Sequence, residues 1–322
     1  MTRQAIEVLL PGALTTVQDL GRPGYQNAGV SPGGAMDPFA ASAANILVGN
    51  SIDEAVLEIT LLGPQLKFLT DTIVALTGAD LSARIGGREM APWSSVSAEA
   101  GQVLSFGSRQ SGARVYLAIG GGIDVSRVMG SRSTDLKSRI GGYFGRHLKS
   151  GDQLSVNHRQ SAAPGSFGGR SLRLSDLERF RPKRGSIRFI RSANDDPFLS
   201  QAITKFTNRS FKLLSASDRM GFRFGGPNLT PDPVETSESW SEPVAAGTIQ
   251  LPPAGLPIVL MADRQTVGGY PKLGTVISVD IGRLAQAAPG DRVRFAEINV
   301  HTAQALLRAE QQFLQLIALA NT

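Results

Sequence analysis

Three segments of this chain combine tight-turn residues with charge, a pattern that holds polar groups rigidly enough to present them to a ligand. The first is Leu14-Thr15-Thr16-Val17-Gln18-Asp19-Leu20-Gly21-Arg22-Pro23-Gly24-Tyr25, followed by Gly33-Gly34-Ala35-Met36-Asp37. The second is Ser217-Asp218-Arg219-Met220-Gly221-Phe222, and the third is Ala262-Asp263-Arg264-Gln265-Thr266-Val267-Gly268-Gly269-Tyr270-Pro271-Lys272. In the third, Gly268-Gly269 lets the backbone approach a ligand closely and aim N–H groups at an anion. Arg264 adds a forked donor and Lys272 a point charge, both suited to carboxylate or phosphate. Gln265 can donate to and accept from an amide or ureido group. A structural use is open to the same residues, because Asp-Arg pairs also tie loops to a scaffold by local ion pairs.

Other chemistries find little support. The three histidines, His147, His158 and His301, lie outside these segments and read as surface or packing residues, since a catalytic base needs a positioned partner. No His or carboxylate pair has ligand spacing, so no metal site is predicted. Ser131-Arg132-Ser133 lacks the frame of a nucleophile elbow. Gly269-Tyr270-Pro271-Lys272-Leu273-Gly274-Thr275 lacks the Lys before Thr of a phosphate loop, and Gly120-Gly121-Gly122 lacks the spacing of a dinucleotide fingerprint. The chain has no cysteine, which removes disulfides, thiolate metal sites and a thiol nucleophile together.

The elements that must carry these loops are mostly strands. A length of 322 residues, 41% hydrophobic and 19% charged, suits a soluble protein of two domains. Short β-branched runs bounded by turn residues read as strands: 72–77, 114–119, 186–190, 257–261 and 275–279. Helical spacing is confined to Pro38 to Val48, Asp195 to Phe206, and Thr302 to Ala320, the last amphipathic with Thr302 as its N-cap. Gly101-Gln102, Gly151-Asp152 and Gly290-Asp291 each precede an alternating strand, the turn chemistry of successive hairpins. Asp19-Leu20-Gly21-Arg22 is echoed by Asp218-Arg219-Met220-Gly221, so two related β-rich halves are predicted, joined near residues 160–185.

The formal charge is +6, and Arg170 to Arg191 alone holds eight basic and two acidic residues. Only Phe180 and Phe189 interleave with them, so nucleic acid is not the expected partner; a solvated linker face or an acidic protein surface is. The N-terminus carries only Val8-Leu9-Leu10 before Pro11-Gly12, too little for a secretory signal, and no run reaches the ~18 apolar residues of a membrane span. A cytoplasmic protein without membrane contact is expected.

Longer strings carry a resemblance. Thr15 to Tyr25, Gly34-Ala35-Met36-Asp37-Pro38-Phe39, Leu57-Glu58-Ile59-Thr60-Leu61-Leu62-Gly63-Pro64, Leu76-Thr77-Gly78-Ala79-Asp80, Gly121-Gly122-Ile123-Asp124-Val125 and Gly130-Ser131-Arg132-Ser133-Thr134-Asp135-Leu136 resemble the biotin-dependent carboxyltransferase family. So do the second and third segments above. The strings run in order from about residue 6 to residue 297. Ser31-Pro32-Gly33 and Phe222 depart from the family pattern, the latter removing a hydroxyl where Tyr is common.

The family includes the carboxyltransferase part of urea carboxylase, allophanate hydrolase subunit 2 and the C component of 5-oxoprolinase. The resemblance implies a mainly β fold of two tandem cyclophilin-like β-barrels with few helices: a first barrel over 1–165, a basic linker over 166–185, a second barrel over 186–298 and a C-terminal helix over 299–322. It also implies a substrate cleft between the barrels. Asp19, Asp218, Arg264 and Gln265 are then the expected catalytic residues. Gln18, Arg22, Tyr25, Asp37, Arg219, Thr266, Gly268, Gly269, Tyr270 and Lys272 are expected to bind substrate. The function implied first is that of a subunit of an ATP-dependent 5-oxoprolinase, with a companion subunit and with ATP shared with that partner. Two alternatives stand beside it: a carboxyltransferase acting on urea or a related amide with carboxybiotin presented by a partner, and a non-catalytic regulatory partner of a kinase-inhibitor-like protein. No Met-Lys biotin-attachment pair occurs in the chain.

Overall fold

A computed structural model describes residues 2–157, 168–182, 184–193, 197–230 and 241–320. The fold is mainly β and separates into two compact units. Residues 1–22, 33–177 and 312–322 form the first, and residues 23–32 and 178–311 the second.

The first unit contains, in chain order, β1 (Thr2–Leu10), β2 (Leu14–Gln18), α1 (Pro38–Leu47), β3 (Val56–Thr60), β4 (Gln65–Phe68), β5 (Thr72–Asp80), β6 (Arg84–Ile85), β7 (Arg88–Glu89), β8 (Ser94–Ala98), β9 (Val103–Ser105), β10 (Ser111–Ile119), β11 (Gln153–Asn157) and the single turn α2 (Leu174–Leu177). The strands form two sheets, β11-β1-β4-β9-β6-β7 and β2-β3-β10-β5-β8. Ile6, Val8, Leu66 and Phe68 from one sheet and Leu57, Ile59, Leu76 and Leu117 from the other share one fully apolar core. Central β10 is buried along most of its length, with Leu117 opposite Leu57 on one neighbour and Leu76 on the other. Buried neighbours on both sides favour the β-branched and aromatic run that the sequence shows there. Helix α1 packs on β5 and β10. Its small residues Ala40, Ala41, Ala43 and Ala44 are all buried, which permits close approach, and Thr77 Oγ1 donates to the Ala40 carbonyl at 2.6 Å. Asp37 starts the helix as N-cap, accepting from Ala40 N at 3.2 Å, with Pro38 at the first helical position.

The second unit adds β12 (Ile187–Arg191), α3 (Pro197–Thr207), β13 (Ser210–Leu213), β14 (Gly221–Gly225), β15 (Glu242–Pro243), β16 (Thr248–Gln250), β17 (Ile258–Leu260), β18 (Val267–Gly268), β19 (Lys272–Val276), α4 (Ser278–Ala285), β20 (Arg292–Glu297) and most of α5 (Val300–Leu319). Seven strands close into a barrel in the order β12-β19-β16-β17-β14-β13-β20, sealed by the parallel pair β12–β20. Its core is aromatic. Phe206 of α3 stacks on Phe295 at 4.4 Å between ring centroids, and Phe189, Phe211 and Phe224 pack around them. The ribbon β15–β18 stands apart from the barrel sheet.

The predicted turns before β9, β11 and β20 are present. Gly101, Gly151 and Gly290 have φ of +89°, +86° and +98°, and a Cβ would meet nothing within 4 Å at any of them. Glycine is therefore required there for backbone conformation, not for room.

Three expectations shift. The apolar run 275–279 is a strand only to Val276, and Ser278 opens α4. Its Val279 and Leu284 are buried and its Asp280 side chain is fully enclosed, so tertiary packing overrides the β-branched propensity. The C-terminal helix starts at Val300, and Asn299 caps it in place of Thr302: Asn299 Oδ1 accepts from Thr302 N at 2.8 Å. Nor is the basic segment uniformly a solvated face. Arg188 is paired with buried Asp280 at 2.6 Å, and Arg181 lies 4.0 Å from Glu310. Lys183 and Asp195 lie outside the described residues, as does His158.

Candidate substrate-binding site

In the first unit, the first loop is clamped onto residues 128–134. Asp19 Oδ1 accepts from Gly21 N (2.8 Å), Ser131 Oγ (2.6 Å) and Ser133 Oγ (2.5 Å), and Oδ2 accepts from Arg132 N (2.5 Å). A short acidic side chain two residues before a glycine turn closes such a loop locally, and the Ser-x-Ser spacing supplies two hydroxyls from the facing segment. Four donors thus surround this 7% exposed carboxylate. Gln18 is tied to the same loop through Nε2, which donates to Thr16 Oγ1 and the Thr134 carbonyl, both at 3.1 Å, while its Oε1 is buried without a partner. Arg22, 1% exposed, donates from Nε to the Val128 carbonyl at 3.4 Å and from Nη2 to the Ser133 carbonyl. Its Nη1 is buried and unpartnered. Gln18, Asp19 and Arg22 are thus brought together.

Asp37 lies two residues beyond Ala35, whose N donates to the Asp19 carbonyl at 2.8 Å. Besides capping α1, its backbone N–H donates to Tyr116 Oη at 2.8 Å, and Tyr116 Oη donates to Glu58 Oε2 at 2.8 Å. Met36 N donates to the same Glu58 oxygen at 2.7 Å. Burial, then the nearby Glu58 and Asp37 charges, push the Tyr116 phenol well above its ordinary pKa, so it remains a neutral donor.

In the second unit the residues of the second and third segments meet around positions 242–244. Arg219, 5% exposed, is neutralised by Asp263 in a two-pronged pair, Nε to Oδ2 at 2.8 Å and Nη2 to Oδ1 at 2.9 Å. Arg264 is placed differently. It is 8% exposed, donates over long distances to the carbonyls of Val244 (3.4 Å) and Met261 (3.5 Å), and has no carboxylate partner among the described residues. Burial pushes its guanidinium pKa down, yet a guanidinium remains protonated at neutral pH. Lys272 Nζ donates to Glu242 Oε2 at 2.7 Å and to the Pro243 carbonyl at 3.0 Å, which anchors the ribbon. Thr266 accepts from Val244 N through its carbonyl, and Gly268 sits opposite Glu242 in β15–β18. Ser31, from the 23–32 segment of this unit, donates to the Ala262 carbonyl at 3.3 Å.

Four predicted residues make no such cluster through their side chains. Asp218 is exposed and accepts from Met220 N and Gly221 N, an Asx turn. Gln265, Tyr25 and Tyr270 are exposed, the tyrosines at 40% and 47%. Gly269 is half-buried. Phe222 is 2% exposed within β14, an apolar position that needs no hydroxyl.

Sequence reasoning missed Gln250. It is 2% exposed, and its Nε2 is buried without a partner directly behind Gly268, where a Cβ would approach it to 2.4 Å and Val244 Cγ1 to 3.3 Å. The glycine predicted to admit a ligand therefore also admits this amide, and no spacing rule marks a lone Gln in so short a strand. Gly268→Ala is expected to overpack this contact and destabilise the protein by about 1–3 kcal/mol, read as a lowered urea midpoint with unchanged slope. Among the described residues no group of three or more His, Cys, Asp or Glu side chains could hold a metal ion, and no helix is long and apolar enough to cross a membrane.

Residues 28–297 match the family model of the carboxyltransferase domain, subdomain A and B. The chain is 37% identical over 313 residues to the C component of 5-oxoprolinase from Escherichia coli, with 97% of each chain covered. It is 34% identical over 312 residues to the protein of the same name in Haemophilus influenzae, again with 97% of each covered. Among solved structures, that of K. lactis urea amidolyase superposes with a TM-score of 0.88 at 31% identity, covering 98% of this chain and 20% of that longer protein.

Proposed function

We propose, from the premise that this chain belongs to the family of the carboxyltransferase domain, subdomain A and B, that it is an enzyme subunit which, with a companion subunit, opens the lactam of 5-oxoproline to glutamate with hydrolysis of ATP. The full-length similarity to the C component of 5-oxoprolinase from two organisms supports this over the other readings. The observation that carries the site is Arg264, a buried guanidinium without a carboxylate partner among the described residues, beside Arg219, which has one. A buried charge lacking a counter-ion costs several kcal/mol. A substrate carboxylate or a developing oxyanion offsets that cost.

The roles follow from the contacts. Arg264 stabilises negative charge on the lactam oxygen or holds the substrate carboxylate, where a fixed donor outperforms water. Gly268 accommodates the Gln250 amide, and Thr266, Gln265, Gly268, Gly269 and Tyr270 are assigned to substrate binding. Arg219 with Asp263, and Lys272 with Glu242, hold the loop and its ribbon in place. Asp218 retains one carboxylate oxygen outside its Asx turn and is the proton-handling group of this loop. Asp19, Gln18 and Arg22 fix the first loop, Asp37 the start of α1, and Tyr25 offers an exposed ring from the 23–32 segment. The nucleotide is assigned mainly to the companion subunit, since the sequence offers no phosphate-binding loop.

A second reading is favoured by the likeness to K. lactis urea amidolyase, which extends over nearly the whole chain. Arg264, without a carboxylate partner among the described residues, and the unpartnered Gln250 Nε2 suit a carboxylate or a ureido oxygen, so the same residues would hold carboxybiotin, which when bound supplies an activated carboxyl group for an amide nitrogen. Co-purification of this chain with its companion, followed by addition of ATP and 5-oxoproline, separates the two. Glutamate formation is the expected result. A complex that forms no glutamate yet carboxylates urea with a biotin partner overturns the first reading, and a complex inert toward every amide points to a regulatory role.

A further inference from the structure

The first unit contains a cleft of about 630 Å³ that none of the roles above uses. Asp124, Ser126, Arg139, Gly141, Tyr143 and Phe144 are among its lining residues. That volume is ordinary for a small-molecule site. Two features of its wall are unusual. Asp124 and Arg139 line the same space, yet neither side chain has an ion-pair or hydrogen-bond partner among the described residues. They therefore form no ion pair with each other. Beneath Gly141, where a Cβ would stand 2.7 Å from Arg22 Nη2, lies the Arg22 guanidinium with its buried, unpartnered Nη1. Val128, also on the cleft wall, accepts from Arg22 Nε. The cleft wall thus carries one positive residue, Arg139, and one negative, Asp124, with the Arg22 guanidinium beneath Gly141.

The backbone around it is strained. Met129, Arg139 and Phe144 have φ of +52°, +56° and +55°, three of the six non-glycine residues with positive φ in the described chain. Each costs on the order of 1–3 kcal/mol, and such outliers gather at ligand sites because surrounding structure must hold them. Phe144 is 80% exposed and meets Tyr143 edge to face at 4.8 Å, so the rim presents an apolar ring toward solvent.

We infer that this cleft binds a small amino-carboxylate, a ligand with a carboxylate next to an N–H or ammonium group. Arg139, backed by Arg22, receives the carboxylate; Asp124 accepts from the nitrogen; Tyr143 and Phe144 cover the carbon skeleton. Both a free α-amino acid and its lactam have this chemistry, and the site draws on no residue of the Arg264 loop.

The test is calorimetric titration of the purified full-length chain without its companion. The probes are L-glutamate, 5-oxoproline, glutarate (no nitrogen) and 2-pyrrolidinone (no carboxylate). At least one of the first two is expected to bind, with glutarate and 2-pyrrolidinone at least tenfold weaker. Arg139→Gln and Asp124→Asn, both on partly or wholly exposed side chains, are expected to abolish one binding component or weaken it at least tenfold without moving the thermal midpoint, and Arg264→Ala to leave that same component unchanged, whatever it does to binding at its own loop. Absence of binding by both amino-carboxylates, glutarate binding as tightly as glutamate, or binding that persists in Arg139→Gln and Asp124→Asn but is lost in Arg264→Ala would each overturn the proposal.

Discussion

Arg264→Ala is expected to lower glutamate formation by the reconstituted complex by about 10²–10³-fold, while leaving the stability of the protein unchanged or slightly raised. Both effects have one cause. The guanidinium is 8% exposed, has no carboxylate partner among the described residues, and is held only by two carbonyls at 3.4 and 3.5 Å. Removing it relieves a desolvated charge and strands no counter-ion among the described residues. Arg219→Ala supplies the contrast: it leaves Asp263 buried without its two-pronged partner, so stability falls together with activity. Steady-state turnover and urea unfolding on both variants check the pair. If Arg264→Ala unfolds the protein, or turns over at the wild-type rate, Arg264 is not the anion-stabilising group. Lysine at 264 should recover only part of the rate, because a point charge cannot reproduce a planar fork.

The largest loss of stability is expected from Asp280→Ala, about 3–5 kcal/mol. Asp280 is fully buried in α4 and accepts from Arg188 N (2.7 Å), Nε (2.9 Å) and Nη2 (2.6 Å), and its Oδ2 lies 2.9 Å from Arg283 Nη1. One carboxylate thereby ties α4 to barrel strand β12 and compensates two guanidinia. Burial already lowers the Arg283 pKa, with Asp280 opposing that shift. Without the carboxylate two cations face each other in a desolvated site, and a strand N–H loses its acceptor. Equilibrium unfolding in urea measures the effect. For comparison, Glu89→Ala removes the exposed pair with Arg84 and should change stability by less than about 1 kcal/mol. Equal losses in the two variants would show that burial does not govern the strength of these pairs.

Much of the architecture was legible in the residues. Strand runs such as 72–77 and 114–119 alternate or stay apolar because their faces are covered, and the three glycine turns read correctly because each needs a positive φ. Helix α1 was legible as helical spacing from Pro38 to Val48. Local chemistry misled where a distant partner decides the outcome. Run 275–279 has strand composition, but Arg188, more than ninety residues upstream of Asp280, fixes that carboxylate within a helix. The surroundings of Asp19 were not legible either, because only the fold brings Ser131, Ser133 and Arg132 N around it.

By itself, then, the sequence determined the loops with functional composition, the β-rich halves and the family, because turn conformation, burial periodicity and ordered motif strings are written in neighbouring residues. The tertiary structure alone decided which arginine is engaged by an internal carboxylate and which has none among the described residues. Arg219 and Arg264 stand in equivalent Asp-Arg contexts, yet the Asp263 carboxylate turns to the first, more than forty positions upstream in the chain, and not to its own neighbour. Charge compensation is set by distances in space, and no local pattern encodes it.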